Sequence, residues 1–141
     1  MFKRQNFDKK RSHRSGFRQR RGGIKDELIN RQVLVIHRAI AEKMLKAHQA
    51  GDDSLRQKVL ETISTRYDLG KMRYGEYLTW QSVLELLDSP EDFVKGIMED
   101  SPQMNKYRRR TPFVGILTED ERQRVLTQDA LGSIDDVAIL F

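Results

Sequence analysis

The chain of 141 residues carries 26 Lys or Arg against 21 Asp or Glu, a formal net charge of +5, and only 38% of it is hydrophobic. It contains no cysteine, which excludes disulfides, thiolate metal sites and a cysteine nucleophile. No apolar run approaches the roughly 18 residues of a membrane-spanning helix.

The charge is concentrated at one end. Residues 1–21, MFKRQNFDKKRSHRSGFRQRR, hold nine basic residues and one acid, Asp8, a formal +8; residues 22–141 hold 17 basic and 20 acidic residues and sum to −3. A segment so charged and so poor in aliphatic side chains cannot bury enough apolar surface to offset the entropy of ordering it. Residues 1–23, closing on the Gly22-Gly23 hinge, are therefore expected to form a disordered basic arm, and residues 24–141 a single helical domain. A secretory signal needs an uninterrupted apolar segment of about 7–15 residues after its basic start. The arm offers only Phe2, Phe7 and Phe17 beyond Met1, so an intracellular, cytoplasmic protein is expected.

Beyond the hinge, Ile29, Val33, Ile36, Ile40 and Met44 recur at spacings of three and four, which predicts a helix over about 26–49 with these residues on one face. Gly51 should end it, and Asp52-Asp53 should cap the next helix by accepting its free amide hydrogens. Leu55, Val59, Ile63 and Tyr67 form a second stripe that stops at Gly70. A third helix is predicted from about Met72 to Asp88, with Tyr74, Tyr77, Leu78, Trp80, Val83, Leu84 and Leu87 as its candidates for burial. Ser89-Pro90-Glu91-Asp92 marks a helix start, because proline fits the first turn and acids suit the positive end of the helix dipole. Phe93, Val94 and Ile97 then share one face.

Ser101-Pro102 repeats the start signal for a short helix leading into Arg108. Thr111-Pro112 breaks the pattern, and Phe113 to Leu117 is β-branched and apolar enough to be extended. Thr118-Glu119-Asp120-Glu121 fits a capping box, opening a helix through Leu131 that Gly132 should close. The C-terminal Val137-Ala138-Ile139-Leu140-Phe141 is expected to pack on its own domain, with pairing to a second subunit or capture by another protein as the alternatives. The fold expected is mostly α: about five to six short helices and at most one short β element.

The residues best suited to chemistry are cations. Lys3, Arg4, Lys9, Lys10, Arg11, Arg14, Arg18, Arg20 and Arg21 alternate with Phe7 and Phe17 in the arm. Guanidinium groups pair with phosphate through two-pronged hydrogen bonds, and phenyl rings stack on unpaired bases. A second cluster, Lys106, Arg108, Arg109 and Arg110, has two explanations: favourable placement at a helix C-terminus, or a docking surface that joins the arm on a phosphate backbone. Nucleic acid is the expected partner, RNA favoured over DNA, because no helix-turn-helix, zinc module or basic zipper is visible.

Signals for catalysis are weak. His37 and His48 lie eleven residues apart on one helix, so their Cα atoms are separated by about 16 Å, too far to share one metal ion. His48 reads as a surface residue near a helix C-terminus and His37 as a satisfied boundary residue. Most acid pairs precede or begin predicted helices, where capping accounts for them. The glycines show no phosphate-cradling pattern. No enzyme, no cofactor, no metal and no membrane association are expected. The rival reading is a protein-interaction module, an adaptor, inhibitor or antitoxin-like partner, that uses the helical body and the apolar tail.

Overall fold

A computed structural model describes the backbone of residues 2–139 and the side chains of residues 23–131. Its elements are all helical: α1 (Phe2–Gln49), α2 (Ser54–Asp68), α3 (Tyr74–Glu85), a 3-10 turn (Leu86–Asp88), α4 (Pro90–Ile97), α5 (Pro102–Arg109) and α6 (Glu119–Ile139). The chain falls into two units, residues 1–31 and residues 32–141. The first consists of the N-terminal part of α1, and its side chains at Ile24 and Leu28 are exposed. The second contains the hydrophobic core. The expectation of an arm without fixed structure over residues 1–23 falls almost wholly on residues whose side chains lie outside those described.

Local chemistry explains where the helices of the second unit stop and start. After α1, Gly51 adopts φ +79°; its N–H donates to the His48 carbonyl at 3.0 Å and the Asp52 N–H to the Ala47 carbonyl at 2.8 Å. Gly70 ends α2 in the same way, at φ +72°, with the Lys71 N–H reaching the Arg66 carbonyl at 2.8 Å. These paired bonds satisfy carbonyls that a helix end leaves free, and they require the left-handed conformation that glycine adopts without penalty. At the start of α6 the capping box is complete. The Glu121 N–H donates to Thr118 Oγ1 at 3.2 Å, and the Thr118 N–H donates back to Glu121 Oε1 at 2.9 Å. Ser101 caps α5 by accepting the Met104 N–H at 3.2 Å, and Pro102 opens the first turn.

Several expectations are corrected in detail. Asp53 stands at the N-cap of α2, but it is Asp52 whose carboxylate accepts the Ser54 N–H at 3.0 Å, which holds the Asp52 pKa below its ordinary value. Ser89 precedes α4 without a side-chain capping bond. The third helix begins at Tyr74, because Met72 is drawn into the core from the loop before it. Helix α6 continues past Gly132 to Ile139. The tail reading concerns side chains outside those described.

Phe113 to Leu117 is a turn, and no strand occurs among the described residues. Gly115 sits at φ +76° with its carbonyl accepting from Lys58 Nζ at 3.0 Å, while Phe113 and Ile116 point into the core. Two anchors three residues apart, with a positive-φ glycine between them, cannot belong to a strand.

The core of the second unit gathers Ile40, Ala41 and Met44 from α1, Val59 and Ile63 from α2, Trp80, Val83 and Leu84 from α3, and Phe93 and Ile97 from α4. Met104 of α5 and the Phe113/Ile116 turn complete it. Trp80 meets Phe113 edge to face, with ring centroids 5.3 Å apart at 80°, a favoured aromatic arrangement. Its Nε1–H is buried and makes no hydrogen bond among the described residues.

Candidate nucleic-acid interface

The arm residues singled out from the sequence, Lys3 through Arg21 with Phe7 and Phe17, have side chains outside the described residues. The second basic cluster lies at the end of α5 and its four cations have different surroundings. Lys106 and Arg109 are exposed in the last turn. Arg108 is not: it is 1% exposed, and its Nη1 donates to the Ile97 carbonyl at 3.0 Å while Nη2 donates to Asn105 Oδ1. The Ile97 carbonyl is one of those left unpartnered at the end of α4, so Arg108 closes that helix from across the core. Burial lowers the Arg108 pKa, and the nearby carboxylates of Asp100 and Glu99 act in the opposite direction.

Arg110 is half exposed and pairs through Nη2 with Glu76 Oε1 at 3.1 Å, a carboxylate that is itself buried. Arg66 of α2 donates to the backbone carbonyls of Arg110 at 2.7 Å and Thr111 at 3.0 Å. The sequence offered no sign of these two links, since Glu76 and Arg66 lie 34 and 44 residues from Arg110. They fasten the end of α5 to α2 and α3.

Those two helices carry an aromatic group that periodicity had assigned to the interior. Trp80, Val83, Leu84 and Leu87 are buried as expected, but Tyr74 is 60% exposed and Leu78 is 42% exposed. The Tyr67 and Tyr77 rings stack at 4.5 Å and 25°, and Tyr74 lies 6.4 Å from Tyr77 at 22°. The sequence signal was present in the spacing of Tyr67, Tyr74 and Tyr77 around the Gly70 turn, flanked by Lys71 and Arg73. What spacing omits is which side of α3 the remainder of the chain covers.

The two histidines among the described residues each have a fixed partner. His37 is 1% exposed, deeper than a boundary position. Its Nδ1–H donates to the Val33 carbonyl at 2.7 Å, and Nε2 accepts the Thr111 hydroxyl at 2.8 Å. A carbonyl only accepts, so the first bond places the proton on Nδ1. Burial pushes the His37 pKa down to about 4. His48 Nε2 lies 2.7 Å from Asp88 Oδ1 at the surface. Among the described residues no three His, Asp or Glu side chains gather as a metal site would require, and no helix is long and apolar enough to cross a membrane.

These elements define a small all-α domain. Comparison with protein-family models, with curated proteins and with solved structures finds no match to the chain.

Proposed function

We propose that this chain is a small, non-enzymatic nucleic-acid-binding protein of accessory or regulatory kind, acting in the cytoplasm on RNA or ribonucleoprotein through its N-terminal arm. One observation carries the reading: nine of the 26 basic residues, opposed by one acid, stand within residues 1–21, whereas the remaining chain is mildly acidic. Such a segment meets polyanions by releasing their condensed counterions. RNA is preferred over duplex DNA because Phe7 and Phe17 stand among the guanidinium groups, and phenyl rings stack on bases that are not already paired.

Deleting residues 2–21 tests it. The truncated protein should keep the helical content of its body and lose salt-dependent binding to single-stranded RNA. With about five phosphates neutralised, the full chain should show a log–log salt slope of roughly −4 to −5. Unaltered affinity in the truncation would defeat the proposal.

A second reading, a protein-interaction module, has one observation in its favour. Ile24 and Leu28 lie one helical turn apart on α1 at 80% and 58% exposure, an apolar pair of the kind protein partners cover. A pull-down from nuclease-treated lysate separates the two: retention of a stoichiometric protein favours this second reading.

A further inference from the structure

We infer that Tyr67, Tyr74 and Tyr77 form a stacking platform for unpaired nucleobases, with Lys71 and Arg73 as the cations that hold the accompanying phosphates. The inference rests on the nucleic-acid reading but places a separate site on the folded body, independent of the arm.

The geometry comes from the α2–α3 corner. The glycine-terminated end of α2 turns the chain so that Tyr67, in the last turn of α2, meets Tyr74 and Tyr77, in the first turn of α3. Tyr67 and Tyr77 stack on one another, and Tyr74 stands nearly parallel to Tyr77. The group is not roofed over: Tyr74 is 60% and Tyr67 38% exposed. Tyrosines serving only as core filler would be covered, as Trp80 is on the same helix. Rings already held by one another and open on the outer side present a fixed π-surface, and ordering it on binding costs little further entropy.

The charge around the rings is complementary to a phosphate backbone. Lys71 and Arg73 are exposed immediately before α3, at the positive end of its dipole, where an anion would be favoured. The dipole of α3 therefore does not account for Arg73, whereas Lys71 also follows the carbonyl end of α2. Aromatic faces with a cationic rim are the common equipment of surfaces that bind single strands without sequence preference.

The experiment uses the full chain and a 5′-fluorescein-labelled 12-nucleotide oligouridylate, read by fluorescence anisotropy, with a 12-base-pair duplex as comparison. Tyr74→Ala should weaken oligouridylate binding by about tenfold, leave duplex binding unchanged and leave the salt slope unchanged. Tyr74→Phe should restore binding, because the ring is kept. Lys71→Ala combined with Arg73→Ala should weaken binding and lower the salt slope by roughly 2. Circular dichroism melts should show that these exposed substitutions leave the domain folded.

Full affinity in Tyr74→Ala overturns the platform, whatever the arm deletion does. An equal loss on duplex and single strand overturns it as well. If Tyr74→Ala loses affinity while the arm deletion does not, the platform stands and the arm reading fails. A wild-type protein that binds neither probe at about 50 mM salt sinks both.

Discussion

The imidazole of His37 accepts the hydroxyl proton of Thr111 at 2.8 Å across 74 residues of sequence. Thr111 Oγ1 accepts in turn from the Phe113 N–H at 3.1 Å, and Phe113 presents its ring edge-on to His37 with centroids 6.0 Å apart. The chain between α5 and α6 is thereby fastened to α1 by a half-buried relay in which each imidazole nitrogen has one partner and Thr111 Oγ1 has two. Thr111-Pro112, which reads in the sequence as a break, is the point where the loop is held.

This relay makes stability pH-dependent. The unfolded His37 titrates near 6.5, and in the folded protein burial lowers it to about 4. Between these values the unfolded chain binds a proton that the folded chain refuses, so stability falls as pH drops from about 6.5 to about 4 and levels off below. The loss should approach about 3 kcal/mol. Urea melts at pH 7.5 and pH 5.0 measure it, and an NMR titration of His37 with a midpoint near 6.5 would contradict it. Glu121 acts in a lower window. Lys43 at 2.7 Å and the Thr118 N–H hold its pKa down to about 2, so its contribution is present above about 4.5 and is lost as pH falls toward 2.

Arg108 should behave as a core residue. Arg108→Ala leaves the Ile97 carbonyl without its donor and a void at the α4–α5 contact, and should cost about 3 kcal/mol or more in a denaturant melt. Arg108→Lys keeps the charge but loses the planar fork that reaches two acceptors, at about 1–2 kcal/mol. Lys106→Ala, two residues before it on the opposite, exposed side of α5, should change stability by no more than about 0.5 kcal/mol. Equal effects at 106 and 108 would contradict the burial of Arg108.

Two glycines should respond to alanine with opposite signs. A Cβ at Gly75 meets nothing within 4 Å, so Gly75→Ala should stabilise α3 by about 0.5 kcal/mol through helix propensity. At Gly115 φ is +76° and a Cβ would stand 2.8 Å from Lys58 Nζ. Gly115→Ala should therefore cost about 1–2 kcal/mol through backbone strain and a displaced lysine. Thermal melts decide both, and a shared sign would contradict the turn geometry.

Much of the fold was legible because its determinants act over a few residues. The capping box at Thr118 and Glu121, the glycine stops at Gly51 and Gly70, and the Ser-Pro start at Ser101 are each complete within six consecutive positions. A local bond forms in the same way wherever the helix is placed, so the residues alone announce it. The charge of residues 1–21 is equally a property of the string itself.

Burial was decided by tertiary structure. Periodicity placed Tyr74, Leu78 and Trp80 together on α3, yet only Trp80 is covered, since the neighbouring helices occupy one part of a wide apolar sector. The four cations of Lys106 to Arg110 look alike in sequence. Packing divided them, sending Arg108 to the Ile97 carbonyl, binding Arg110 to Glu76 and leaving Lys106 exposed. A side chain's worth as a ligand contact depends on whether water or protein already holds its polar atoms. That is settled by partners tens of residues away, which no local pattern records.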